Sequence, residues 1–217
     1  MNYNNIPEIQ NNKFMHLDNW EKIDYIIDSA YVVFLDGKNA TKYHNYDMIS
    51  EKGFSYNLME ATKKVLNNFN IEYNLFAIMD EITIVFPNGL ALKECFEDEY
   101  EDYILTLLNL YIYKEFSKYK DCPLKALMYR FDFNDLEELF KSRKVYGKYT
   151  ALEYFIKEKL GKGNYKNNTP DDIIDELKKH NLYNEYLSLT HFYNGFEYHH
   201  VRSNDSWIDS LIEVDFN

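Results

Sequence analysis

Tyr31–Thr41 reads YVVFLDGKNAT, and Tyr73–Pro87 reads YNLFAIMDEITIVFP. Two apolar runs, Tyr31–Leu35 and Leu75–Met79, each end in an aspartate, Asp36 and Asp80. A third run, Ile82–Phe86, starts directly after Asp80 and Glu81. β-Branched and aromatic runs of this length, bounded by turn residues, read as buried strands. If the third run folds back on the second, Asp80 and Glu81 form a hairpin tip and Asp36 leaves the neighbouring strand at the same edge. Two carboxylates at adjoining strand ends suit Mg²⁺, a hard cation that takes oxygen ligands, commonly one or two carboxylates plus substrate phosphates.

Outward from these strands, Phe54, Leu58, Ala61, Val65 and Phe69 recur at helical spacing, so the segment from Ser50 to Asn67 and Asn68 reads as an amphipathic helix laid on a sheet. Pro87-Asn88-Gly89 closes the third strand. Residues 96–119 form the longest periodic segment, with a broad apolar face and acids in the first turns as a helix N-terminus prefers, and read as a helix before Leu124–Phe133 gives a fourth strand. Asn134 or Asp135 then caps a helix expected to break or bend near Gly147 and to end at Gly161. Thr169, Pro170 and two acids open another, running to about His180. Leu17–Ile27 reads as a short helix, residues 37–50 as a loop, and the stretch after His180 shows no clear period. The order β-α-β-β-α-β over residues 30–133 predicts an α+β, ferredoxin-like fold with a C-terminal, mainly helical extension.

With 217 residues the chain is long enough for a full hydrophobic core. Two cysteines, Cys95 and Cys122, suggest neither a disulfide framework nor a zinc site, so a reducing, cytoplasmic setting is expected. No secretory leader is recognised and no apolar run reaches membrane-spanning length, so no membrane partner is expected. The 36 acids and 24 bases give a net charge of −12, which argues against a generic basic nucleic-acid binder. The dense positive stretches are Lys141, Arg143, Lys144 and Lys148, then Lys157, Lys159, Lys162 and Lys166; such runs usually decorate solvated helix faces. Adjacent histidines on a strand point to opposite sides, so His199 and His200, with His191 nearby, read as packed or surface rings, not as a ligand pair. No P-loop, Ser-His-Asp set or CxxC pattern is present.

DGKN at Asp36–Asn39, NLMEATKKVL at Asn57–Leu66 and MDEITIVF at Met79–Phe86 together resemble the catalytic domain of tRNA-histidine guanylyltransferase and its relatives, the 3′-to-5′ polymerases. The resemblance covers about 60 residues well, and LEELFKSR at Leu136–Arg143 falls where the family has a helix ending in an arginine-bearing triplet. It implies a polymerase-like palm over residues 30–133, an N-terminal segment 1–29, and a helical extension with a tail over 134–217. It further implies two Mg²⁺ ions held by Asp36, Asp80 and the Gly37 carbonyl, the two aspartates being the catalytic pair. A nucleoside triphosphate, GTP or ATP, would lie against Lys38, Asn39, Ala40 and Thr41, with Glu81 and Lys93 nearby, and Lys141, Arg143, Lys144 and Lys148 would meet RNA. The implied activity is 3′-to-5′ nucleotide addition to the 5′ end of a tRNA or similar RNA, in a homo-oligomer, tetramer or dimer.

Phe34, Ala40 and Met79 stand where the family has arginine, phenylalanine and serine. LKECFEDEYED replaces its basic stretch after the hairpin, and YGKYTALEY its histidine-led signature. These departures point to a divergent relative with another RNA or nucleotide substrate. A palm-type nucleotide cyclase or dinucleotide synthase, or a palm that binds nucleotide without turnover, are the alternative expectations.

Overall fold

A computed structural model describes residues 29–38, 40, 47–96, 100–161 and 169–200. Five strands, β1 (Ser29–Gly37), β2 (Tyr73–Ile78), β3 (Glu81–Phe86), β4 (Leu124–Asp132) and β5 (Phe196–His200), form one antiparallel sheet in the order β4-β1-β3-β2-β5. The helices are α1 (Phe54–Leu66), α2 (Gly89–Phe96), α3 (Glu101–Phe116), α4 (Leu136–Leu160), α5 (Pro170–Lys179), α6 (Tyr183–Ser188) and α7 (Thr190–Asn194). The architecture is α+β with a helical C-terminal part, and the sheet gains β5 beside β2.

β1, β2 and β3 are almost wholly buried, which is why their sequences run apolar instead of alternating. Side chains one residue apart point to opposite faces. Gly37 abuts Phe54 of α1, so the Leu35 and Gly37 side of β1 faces α1 and α3. The Phe34 and Asp36 side faces α4, whose Arg143 guanidinium lies 5.4 Å from the Phe34 ring. On α3 the buried residues are Ile104, Leu108, Ile112 and Phe116, a four-residue spacing that makes one apolar stripe, and Phe116 meets Phe54 edge-on at 4.9 Å. Each such fully buried side chain contributes roughly 1.5–3 kcal/mol.

Several expectations need correction. α3 spans Glu101–Phe116 only, and the predicted residues 96–119 overrun it at both ends; a separate α2 precedes it. Among the described residues the longest helix is α4, with 25 residues, and it continues through Gly147, where a break or bend is expected. That glycine serves a close approach: a Cβ there would meet Ile78 Cδ1 at 2.6 Å. Residues 183–200, which lack a clear period, form α6, α7 and β5. Elements of five or six residues are too short for periodicity to declare itself. Thr169 does cap α5, in a reciprocal capping box with Asp172 and with Pro170 in the first turn. The predicted helix at Leu17–Ile27 and half of the predicted loop over 37–50 lie outside the described residues. Among the described residues no helix is long and apolar enough to cross a membrane.

Candidate active site

Antiparallel register places Asp36 opposite Glu81 on β3 and opposite Lys125 on β4, while Glu81 pairs in turn with Ile78 on β2. Directly opposed residues share a face, so Lys125, Asp36, Glu81 and Ile78 make one row beneath α4. The hairpin tip is Met79-Asp80, not Asp80-Glu81: Glu81 is already the first residue of β3. A two-residue hairpin loop needs a positive φ at its first central residue in the type II′ form, where glycine is favoured. Met79 occupies that position with φ of 54°. A left-handed conformation costs a non-glycine residue about 1–2 kcal/mol. Met79 is buried, and its carbonyl accepts a hydrogen bond from Ser55 Oγ of α1 at 2.8 Å, so α1 holds the turn in this shape.

The same turn is tied to the end of β1. Gly37 N donates to the Asp80 carbonyl at 2.7 Å, and Lys38 N donates to the Pro123 carbonyl at 2.8 Å. Asp36 and Asp80 therefore sit on backbone segments joined by a hydrogen bond. A Cβ on Gly37 would meet Phe54 Cζ at 2.7 Å, so glycine is required there for α1 to start against the strand end.

Asp36 retains solvent-exposed surface but is ringed by protein atoms. That partial burial, reinforced by the Glu81 carboxylate across the strand pair, raises its pKa to about 6 against the opposing influence of Lys125 and Arg143. Its anionic form thus lacks full compensation from the chain itself. Arg143 is the inner counter-charge. It is 2% exposed, ion-pairs with Glu81, and lies between the Phe34 ring at 5.4 Å and the Tyr146 ring at 4.6 Å. Its Nε has no hydrogen-bond partner among the described residues. Burial pushes the Tyr146 hydroxyl pKa up, with the charges of Glu81 and Asp80 adding to it, which places both acids near this helix.

Of the other residues singled out in the sequence, Lys38 is exposed at the strand end, Ala40 is fully buried, and Asn39 and Thr41 lie outside the described residues. Lys93 belongs to α2, which follows the Phe86 end of β3, and by register that is the end away from Asp36. Lys141 pairs with Glu137 at 2.5 Å on the exposed side of α4, Lys144 pairs with Glu197 of β5 at 2.7 Å, and Lys148 is half-buried. Arg143 is turned into the sheet and away from solvent. The histidines are dispersed: His191 Nε2 lies 2.7 Å from the Ile49 carbonyl, His199 Nδ1 lies 3.0 Å from Asn74 Oδ1, and His200 stacks on Tyr73. Lys125, Ser55 and Tyr146 escape a reading of the sequence, because only strand register and helix docking bring them here.

Among the described residues no group of three or more His, Cys, Asp and Glu side chains is gathered for a metal. Asp36 and Asp80 are the two carboxylates whose backbones the Gly37 hydrogen bond joins, and a carboxylate pair is a donor set that Mg²⁺ takes when water and substrate phosphate supply its remaining ligands.

No family model matches the sequence, and neither does any curated protein. Solved structures do match. Over 85% of this chain and 94% of the other, the tRNA(His) guanylyltransferase of Saccharomyces cerevisiae superposes with a TM-score of 0.65 at 12% identity. A bacterial tRNA(His) guanylyltransferase-like protein in complex with ATP gives 0.57 at 16% identity, over 76% of this chain and 75% of the other. Its complex with GTP gives 0.54, also at 16%, over 74% and 72%. The chain shares the fold of these proteins. At such identities the likeness speaks for the backbone arrangement alone, and what the site does must be argued from its own residues.

Proposed function

We propose that the chain is a Mg²⁺-dependent nucleotidyltransferase that adds nucleotides in the 3′-to-5′ direction to the 5′ end of a tRNA or similar RNA. The observation that carries this reading is the hydrogen bond from Gly37 N to the Asp80 carbonyl, which joins two carboxylate-bearing strand ends at one edge of a buried sheet. The shared fold supports it, as do the nucleotides named with the bacterial structures.

In this reading Asp36 and Asp80 hold the metal, with the Gly37 carbonyl beside them, and Lys38 lies where a triphosphate would extend. Bound Mg²⁺ would supply the charge that lowers the pKa of the attacking hydroxyl and stabilises the leaving oxygen. The chain's own part is positional. The Ser55 and Gly37 hydrogen bonds fix the Met79-Asp80 turn against β1, while Arg143 holds Glu81 beside Asp36. The 3′-hydroxyl of the incoming nucleotide attacks the α-phosphorus of a 5′-triphosphorylated RNA. A phosphodiester forms, pyrophosphate leaves, and the hydroxyl proton passes to solvent.

The test is incubation of the protein with Mg²⁺, a labelled nucleoside triphosphate and 5′-triphosphorylated or 5′-truncated tRNA. RNA lengthened at its 5′ end is expected, and loss of that product in Asp36→Asn and Asp80→Asn. A small labelled product formed without RNA would instead identify a cyclase or dinucleotide synthase, and no product with either would leave a palm that only binds nucleotide.

A further inference from the structure

Beside the candidate site, on the opposite face of the sheet, a cavity of about 570 Å³ lies between α3 and edge strand β4. Its walls are Leu105, Leu110 and Tyr113 of α3 and Pro123, Leu124 and Ala126 at the start of β4. Pockets of roughly 300–1,000 Å³ suit small organic groups held by apolar walls and a few placed polar atoms. Here the placed polar group is Asn109. Its Nδ2 donates to the Leu124 carbonyl at 3.4 Å, and its Oδ1, withdrawn from solvent, has no hydrogen-bond partner among the described residues.

We infer that this groove is a nucleobase pocket for single-stranded nucleic acid whose end leads to the Asp36 and Asp80 edge. Apolar walls with an aromatic side chain suit the flat ring of a base. The groove is continuous with the site: Leu124 is the register partner of Gly37, and Pro123 accepts the hydrogen bond of Lys38 N. At that corner Lys38 and Lys125 are both exposed, and Lys125 lies directly opposite Asp36, so two cations line the short path that phosphates would follow around the sheet edge. Leu110, 54% exposed, and Tyr103, 51% exposed, extend the apolar surface one α3 turn on either side of Thr106, which is longer than a lone base needs and suits successive stacked bases. The inference rests on the proposed nucleotidyl transfer only for where the strand leads; the occupant of the groove is tested by binding.

The experiment is fluorescence polarisation of the full chain, without Mg²⁺, against a labelled ten-nucleotide oligoadenylate and an abasic ten-mer of equal charge. Stacking and edge contacts at about 1–3 kcal/mol per base predict at least tenfold tighter binding of oligoadenylate. Leu110→Ser reduces that preference severalfold while abasic binding stays as it was. Leu110 lies at the surface of α3, away from its buried stripe. Asp36→Asn should abolish nucleotide addition yet keep the preference, so failure of the groove and failure of the reaction are separable. Equal affinity for the two oligomers overturns the inference. So does displacement of the oligomer by adenosine monophosphate at its own molar concentration, which would make the groove a mononucleotide site. A concentration-dependent dimer abolished by Leu110→Ser overturns it too, because a second copy of the chain would then cover the groove.

Discussion

At the scale of single residues, Asp36 and Arg143 make opposite demands on the same sheet end. Asp36 has a native-state pKa near 6, above its ordinary value of 3.8, so the folded chain binds more protons than the unfolded one between about pH 4 and pH 6. Its contribution to stability is therefore intact below pH 4 and is lost as the pH rises through 6. Thermal melts of the metal-free protein should show Asp36→Asn flattening this part of the pH profile and melting higher than the parent at pH 7; an unchanged profile would mean that neither burial nor Glu81 presses on this carboxylate. Arg143 is the reverse case. Removing one partner of a buried ion pair costs about 3–5 kcal/mol, whereas replacing both with apolar groups is often nearly neutral. Arg143→Met should thus destabilise the fold by a few kcal/mol, and adding Glu81→Leu should recover most of the loss in denaturant melts. A surface role for Arg143 would instead leave Arg143→Met within about 0.5 kcal/mol of the parent. The aspartates could be picked out in the sequence because strands that end in an acid are visible there. The partnership of Glu81 with Arg143 could not, since residues 62 positions apart meet only through the docking of α4 on the sheet.

At the scale of elements, legibility followed length and periodicity. β1 to β3 and α1 show in the sequence because buried strands read as unbroken apolar runs and α1 repeats at helical spacing. β5 pairs with β2 through a half-exposed Phe-Glu-Tyr-His-His segment whose polar residues hide it. Gly147 illustrates how one residue type supports two readings. In isolation it signals a helix break, and in place it lets α4 approach Ile78 closely. In an ordinary helix interior, glycine to alanine gains about 1 kcal/mol. Here Gly147→Ala should lower the melting temperature, because the new Cβ would lie 2.6 Å from Ile78 Cδ1 and 2.8 Å from Cγ2. In an Ile78→Ala background those atoms are gone, and the same substitution should raise the melting temperature. The change of sign is the measurement; a destabilisation of equal size in both backgrounds would place the cause elsewhere in α4. α5 offers the simpler case, since its threonine, proline and acids announce the cap in the sequence and the capping box forms as they indicate.

At the scale of the whole molecule, the net charge of −12 speaks against broad electrostatic attraction to RNA, so binding at the candidate site must come from local arrangement. The carboxylates that make the sheet end acidic also make it repel a polyphosphate until a cation intervenes. Metal and nucleotide should therefore bind together, each strengthening the other, as reciprocal coupling requires. A ligand at 100 times its dissociation constant stabilises the fold by about 2.7 kcal/mol, and a domain of this size shifts by roughly 2–4 °C per kcal/mol. Thermal shift assays should accordingly show a rise of about 5–10 °C with Mg²⁺ and GTP or ATP present together, and much less with either alone. Asp80→Asn should erase the joint increment while leaving the unliganded melting temperature close to the parent's, because its backbone carbonyl still receives the Gly37 hydrogen bond. Equal shifts with and without Mg²⁺ would show nucleotide binding that bypasses the aspartates, and the catalytic assignment of Asp36 and Asp80 would then be wrong even though the sheet that carries them is right.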